Sequence, residues 1–507
     1  MRRHVTLLLP ALLLAACLAG HPQPAQANEV ARPGAVLPPT APWAATPRVD
    51  RASEAGDPLT ASLVEAVGDR RHPSAPRPPS TTCATIPAQL SMPGRTASAA
   101  EEASPPDTAR IQRGLDACAG TGGAVRLSTS GAATDFLSGP LVVRPGEVLL
   151  VDPAATLFAS RNAAAYQVAG HGRCGTIGGD GLGCAPFLAV GSGSGVESTR
   201  AADGTQGRID GRGDATLLGS ATTWWALSAQ AKAGGNQNVP RLIKAQRSND
   251  VTVADVDLID SPGQHISFND GVGLTVWGVV VFTPANARNT DGIDPAGAQD
   301  VTIADSYIMD GDDGIAIKAS DAPSAHITIR GNTLTGTHGI SLGRQTTAGI
   351  SDVLIDGNTI SGKDRYGNQS VAAGGIRIKS SAAAGGLVRD ITFRDTCIDL
   401  VKAPVVFDSR YESGSGTHIP SFTGIVVDGL RATNSVKGAA SVLEGFDAAH
   451  PLGLLLRRVD VDDPDVRAAY ADITTQGAHF GGVPLTASGA GVRVTAQADA
   501  GAAPACG

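Results

Sequence analysis

The chain has 507 residues, a formal net charge of −8 and only 4% aromatic residues, against 63 glycines and 32 prolines. That charge provides no basic field to draw in nucleic acid, and the composition argues against a Leu-rich helical protein and for many turns joined by short β-branched strands. An all-β or repeat architecture follows, long enough for one extended domain.

In chain order, Arg2 and Arg3 precede an apolar run from Val5 to Ala16. The run is too short to cross a bilayer, so residues 1–27 read as an export signal rather than a transmembrane segment. Ala25-Gln26-Ala27 fits a small-x-small cleavage site that leaves Asn28 as the new N-terminus of a secreted protein; Leu14-Ala15-Ala16-Cys17 offers the alternative of a lipid anchor on Cys17. Residues 28–80 are rich in Pro and Ala with no apolar period, which predicts a disordered linker, and residues 81–507 form the folded domain. Its cysteines, Cys83, Cys118, Cys174, Cys184, Cys397 and Cys506, are even in number, as disulfides in an exported chain require. Cys174 and Cys184 bracket "CGTIGGDGLGC" and form the natural local pair, while the pairing of the other four is open, Cys83 with Cys118 and Cys397 with Cys506 being one choice; no spacing resembles a zinc site.

Asp107 or Thr108 can cap a short helix whose Ile111, Leu115 and Cys118 share one face. Beyond it, short β segments recur after Asx or Gly turns: Val251 to Val253, Leu274 to Val276, Val301 to Ile303, Ile327 to Ile329, Val353 to Ile355 and Ile391 to Phe393. A period in this range signals a solenoid, and inward aliphatics alternating with outward polar residues predict a single-stranded parallel β-helix whose open end the helix caps. A β-sandwich is the weaker alternative, because the D-V-T-I pattern recurs too uniformly.

The chemistry gathers in consecutive repeats. Asp291 lies in Asn289-Thr290-Asp291-Gly292, and Asp312 and Asp313 lie in "DGDDGIAIK". One turn of solenoid between Asp291 and Asp312 would set them a strand spacing apart, roughly 5 Å, with Asp313 on the same surface. Three such carboxylates cannot all stay ionised cheaply, so one should hold a proton beside one or two bases, the arrangement needed to protonate a leaving-group oxygen while activating water. His338 follows one coil later, where it can orient an acid. Arg377 and Lys379 stand two apart in a strand, on one face, and suit a carboxylate-bearing substrate. Asp294, Asp310 and Asp356 read as turn residues.

Taken together, Asn289-Thr290-Asp291, Gly311-Asp312-Asp313-Gly314, His338-Gly339 and Arg377-Ile378-Lys379 closely resemble the four signature motifs of the polygalacturonases, glycoside hydrolase family 28. The resemblance extends from about Cys83 to the C-terminal region, through "GRIDGRG" at 207–213, Trp224-Trp225 and Tyr411. It implies a right-handed parallel β-helix that hydrolyses α-1,4-galacturonosyl bonds of pectin with inversion, as a monomer acting on an acidic polysaccharide, without metal or other cofactor. It further implies that Asp312 is the general acid, that Asp291 and Asp313 activate water, that His338 tunes the acid, and that Arg377, Lys379, Tyr411 and Asn289 bind substrate. The long stretch after His338, "KDRYGNQSVAAGG", is expected to loop over the cleft and leaves endo and exo cleavage both open. Competing readings are a rhamnogalacturonan or xylogalacturonan hydrolase, a calcium-dependent pectate lyase, and a non-catalytic β-helical carbohydrate-binding surface protein.

Overall fold

A computed structural model describes residues 65–506; the predicted export signal and residues 28–64 of the Pro/Ala-rich segment lie outside the described residues. Each coil contributes three short strands, as in Val251–Ala254, Val256–Ile259 and Ile266–Asn269. Strands stack on the equivalent strands of the next coil in parallel, forming the expected parallel β-helix. The third strand of each coil builds an 11-stranded sheet from Leu141–Val143 to Val466–Ala469. The other two ladders merge into a 23-stranded sheet, because the late strands Leu387–Asp399, Ser421–Thr433, Leu452–Val461 and Ala471–Phe480 run through the corner between them.

Register is set by aliphatic columns. Val251, Leu274, Val301, Ile327, Val353, Ile391, Ile425, Leu454 and Ile473 follow one another in register, and all are buried. Each contributes about 1.5–3 kcal/mol on leaving water, and a one-residue slip would turn the whole column outward. The six strands anticipated from the sequence all belong to this ladder. Its corner is turned by residues at positive φ, where Asp tolerates the left-handed region. Asp255 (φ 51) and Asp305 (φ 50) alternate with Gly278 and Gly331, whose added Cβ would meet the Asp255 and Asp305 Oδ1 atoms at 2.6 Å. Asn332 and Asn358 continue the stacking inside the turns, Asn358 Oδ1 accepting from the Asn332 N–H at 2.9 Å.

The helix Thr108–Cys118 covers the first coil with Ile111, Leu115 and Cys118 buried, as its periodicity predicts. Asp107 occupies the N-cap position, but its carboxylate accepts from Leu137 N (2.7 Å) and Arg110 Nε (2.5 Å) rather than from the helix. Two further helices were not anticipated: Ala99–Ala103, opened by a Ser98/Glu101 capping box, and Trp224–Ala231, in which Trp224 packs edge-on against Tyr166. Disulfides join Cys83 to Cys118, Cys174 to Cys184 and Cys397 to Cys506, the local pair expected together with one of the choices open for the other four. Among the described residues no helix is long and apolar enough to cross a membrane.

The linker assignment needs correction over its described part. Residues 65–80 are ordered, and Ala66 to Arg71 run across the outer face of the first ladder from coil to coil. The N–H groups of Val67 and Gly68 donate to Asp352 Oδ1 at 2.6 and 3.0 Å, Asp69 N donates to Thr328 Oγ1, Thr302 Oγ1 donates to Asp69 Oδ2, and Arg71 reaches Leu274 O. Composition misled because this strap contributes no apolar period; its partners are outward Thr and Asp side chains supplied by coils 200 to 300 residues away. Asp352→Ala removes the acceptor of two strap amides and should destabilise the fold by about 1–3 kcal/mol, seen as a lower melting midpoint and faster proteolysis near residue 67.

Candidate active site

The third ladder carries the cleft. Along its strands, side chains alternate between the core and the outer face. Ile315, Ile340, Ile376 and Val405 form an inward column, so that Ser341 and Arg377, in register with one another, point outward. The loops entering these strands bring up the remaining groups. A cavity of about 480 Å³ is lined by Asn289, Asp291, Asp312, Asp313, His338, Arg377, Lys379 and Tyr411, which unites every site residue anticipated from the sequence. Apart from Gly181, which precedes the strand Leu188–Val190, the lining residues come from loops or strands of seven successive coils, ending at Tyr411 after Ala403–Asp408, a span of about 29 Å at one strand spacing per coil.

Asp313 is the electrostatic hub. Its Oδ1 accepts from Ser341 Oγ (2.8 Å), Arg377 Nη1 (3.1 Å) and Lys379 Nζ (3.1 Å), and its Oδ2 accepts from Lys379 Nζ (2.8 Å). Burial alone would raise this carboxyl, but Lys379 and then Arg377 hold it well below the usual carboxylate range. The two cations therefore face the cleft as expected, yet their first partner is Asp313. Lys379 also lies under the ring of Tyr411, 5.6 Å from its centroid.

Asp312 is placed differently. His338 Nδ1 stands 3.1 Å from its Oδ1, Asn289 Nδ2 donates to its Oδ2 at 3.3 Å, and its backbone carbonyl accepts from His338 N at 2.7 Å. Burial is the largest single influence and works to raise its pKa, but the His338 hydrogen bond and the positive charges of His338 and Lys379 together bring the carboxyl below its ordinary value. Asp291 goes the other way: burial, with Asp294 and Asp312 beside it, pushes it well above the ordinary range. The two neighbouring carboxyls are thus shifted in opposite directions, Asp291 toward its protonated form and Asp312 toward its ionised form.

Several residues of the site escaped the sequence reading. Asp294, taken as a turn residue, lies on the strand Ile293–Ala296 and pairs with Lys318 at 2.5 Å, while Lys318 also reaches Asp291 at 3.4 Å. The alternation in "IAIK" would have placed Lys318 outward in the strand that follows Asp313. His265 is fully buried beneath the Asn289-Thr290-Asp291 loop, its Nδ1 3.1 Å from Thr290 O and its Nε2 2.9 Å from Thr283 Oγ1. Burial pushes it down to about 4, so it holds the loop as a neutral ring. Gly339, next to His338, has φ +87, and a Cβ there would come within 2.1 Å of Gly375 O. The stretch "KDRYGNQSVAAGG" does not arch over the cleft: Asp364 ties it to Ala285 N, Tyr366 packs on Phe282, and of this stretch only Ala372 lines the cavity. Trp225 donates to Ser261 O and stands outside the cavity lining.

Asp312, Asp313 and His338 offer ligand atoms within 4.8 Å of one another, the one grouping among the described residues that could hold a metal ion. Lys379, Arg377 and Ser341 already occupy the Asp313 oxygens, so this corner is neutralised by the chain's own cations.

Comparison with known proteins places these features in context. The profile of glycosyl hydrolases family 28 matches residues 187–474. An endo-polygalacturonase of Pectobacterium parmentieri is 36% identical over 394 residues, 77% of this chain and 89% of that protein. The solved polygalacturonase from Erwinia carotovora ssp. carotovora aligns with a TM-score of 0.66 at 32% identity, covering 84% of this chain and 99% of the other. An exopolygalacturonase from Thermotoga maritima, at 18% identity, TM-score 0.60 and 82% and 94% coverage of the two chains, shares the fold.

Asp310 does shape the turn, its Oδ1 accepting from Asp312 N at 2.9 Å, and it is wholly buried with Oδ2 unpartnered. Burial raises its pKa well above the ordinary value. A raised folded-state pKa gives stability that is complete below the unfolded value and lost as pH rises through the folded one. Asp310→Asn mimics the protonated acid, so its melting midpoint should match the wild type near pH 4 and exceed it increasingly toward pH 8; parallel curves across that range would contradict the assignment.

Proposed function

Because this chain belongs to the glycosyl hydrolases family 28, we propose that its cleft hydrolyses internal α-1,4-galacturonosyl bonds of pectin with inversion, using side chains for every proton transfer. Pectin hydrolysis is the activity shared by the polygalacturonases it matches. The observation that carries the residue assignment is the pairing of two unlike carboxyls in one cavity, Asp312 beside His338 and Asn289, and Asp291 beside Asp312 with its pKa raised. One proton is shared between them. The reacting arrangement has it on Asp312, which delivers it to the departing glycosidic oxygen; Asp291, then ionised, takes a proton from the attacking water, and Asp313, fixed by Arg377 and Lys379, helps to hold that water. Because the pair titrates as a unit, a pH profile reports macroscopic values of the pair rather than of either residue.

Tyr411, Lys379 and Arg377 face the sugar carboxylate from the far side of Asp312. The remaining N–H donors of Arg377 serve this role while Nη1 holds Asp313. Internal cleavage is supported by the cavity's reach over coils on both sides of the Ile315–Ile317 strand and by the relative named an endo-polygalacturonase. Export, with Asn28 or a lipidated Cys17 as the mature N-terminus, completes the proposal and is supported by the three disulfides.

Asp312→Asn should cut kcat on de-esterified polygalacturonate by about a thousandfold or more while oligomer binding persists. Wild-type digestion should yield mixed oligomers early, unaffected by EDTA and without unsaturated products; monomer accumulating from the outset would show exo cleavage. His338→Leu removes the hydrogen bond that lowers the Asp312 pKa, so the basic limb of the kcat profile should move to higher pH, and an unmoved limb would remove His338 from this role.

A further inference from the structure

The side of the cavity nearer the N-terminal coils holds two arginines whose charge no carboxylate answers. Arg241 stands before the strand Ile243–Gln246, and its one hydrogen bond through the guanidinium runs from Nε to Gln264 Oε1 at 2.6 Å. Arg288, just before Asn289, uses Nη1 to reach Ser228 O at 2.8 Å and Gln237 Oε1 at 3.2 Å. Neither forms an ion pair with a carboxylate among the described residues, whereas Arg377, Lys379 and Lys318 all do. A guanidinium carries five N–H donors, so most of those on Arg241 and Arg288 are uncommitted, and both side chains line the cavity. Burial presses the Arg241 pKa down, with Asp294 and Asp291 offsetting it only from a distance. Leaving a largely buried cation unpaired is costly unless an anion arrives from outside the chain.

The position of the pair is built rather than incidental. Arg288 is clamped to the last turn of the helix Trp224–Ala231 through Ser228 O. Gln237, which holds Arg288, pairs through its backbone with Ile177 inside the loop tied by Cys174–Cys184, and Asn238 bonds that loop at Gly183 N, Thr176 O and Gly178 O. Gln264 is fixed in turn by donating to Asp294 Oδ2 at 2.6 Å and accepting from Ser267 Oγ at 2.8 Å.

We propose that Arg241 and Arg288 form a distal carboxylate subsite that grips a uronate of the bound polysaccharide on the side of Asp312 opposite Tyr411. The inference rests on the polygalacturonase reading above and adds residues that determine specificity for chain length and charge. The strand that follows Arg241 lies three strand steps from Ile315–Ile317, the strand that follows Asp313, or about 14 Å. Arg288, whose backbone bridges Gly311 beside Asp312, stands one strand step from that point, so it is the Arg241 end of the subsite that is filled only by substrates extending several sugars past the cleaved bond. Charge-assisted, forked contacts of this kind contribute binding rather than chemistry.

The test compares wild type, Arg241→Gln and Arg288→Gln on a series of oligogalacturonates of increasing length and on a long oligomer whose carboxyl groups have been reduced to alcohols. Each variant should raise KM for long charged oligomers about tenfold with kcat within about twofold and match wild type on the reduced oligomer, and Arg241→Gln should leave the shortest cleaved oligomer unchanged. Equal KM increases on short and long oligomers for Arg241→Gln, equal increases on charged and reduced oligomers for either variant, or no increase at all, would overturn the subsite. Should Arg241→Gln fail to fold, Arg241→Lys keeps the charge without the fork and should show a smaller increase with the same length dependence. If wild type itself releases no reducing ends from polygalacturonate, the hydrolase reading falls. Calorimetric titration of the longest oligogalacturonate into wild type and Arg288→Gln then decides the subsite, with equal affinities overturning it.

Discussion

The inward columns that stack coil on coil, such as Ile315, Ile340, Ile376 and Val405, hold the strands of the third ladder about one strand spacing apart and permit no slip. Everything in the cleft depends on that constraint. Backbone pairing between coils, with Gly292 N donating to Asp313 O and His338 N donating to Asp312 O, brings Asp291, Asp312, Asp313 and His338 to one rim. In solution these carboxylates would move apart. Here the aliphatic core makes them neighbours, and the repulsion is offset by cations fixed in the same way.

How it is offset divides the site by function. Asp313, held by Lys379, Arg377 and Ser341, stays ionised. Asp291, buried beside Asp294 and Asp312, is driven toward its neutral form even with Lys318 close by. Asp312 lies between these extremes because a histidine rather than a lysine or arginine is its partner. Carboxyls a residue or a coil apart thereby acquire unlike proton affinities, as acid and base work at one bond requires. Arg241 and Arg288 line the same cavity without a carboxylate in ion-pair contact among the described residues, and in the proposed subsite the substrate supplies that carboxylate.

The ladder strands, the capping helix, the Cys174–Cys184 disulfide and the eight residues that meet in one cavity were legible because each rests on a local pattern. Alternation, Asx turns, cysteine parity and short motifs all survive in one dimension. Asp294 was misread since "GIDPAG" resembles a turn, whereas register with Ser267 makes it a strand residue facing the cleft. His265 gave no signal, because a lone histidine acquires meaning only when Thr283, Thr290 and Asp291 surround it. The strap at 65–80 was misjudged for the same reason: its partners Asp352, Thr328 and Thr302 are distant in sequence, and its own composition matches that of a linker.

By itself the sequence determined that this chain coils as a β solenoid and that Asp291, Asp312, Asp313 and His338 occur in consecutive coils, because periodicity and motif order are properties of a line. Only the tertiary structure decided which carboxyl is pushed toward its protonated form, which cations are engaged by Asp313, and which arginines line the cavity without a carboxylate in ion-pair contact among the described residues. Those outcomes depend on burial and on distances of a few ångströms between side chains of different coils, and neither quantity exists until the coils are stacked.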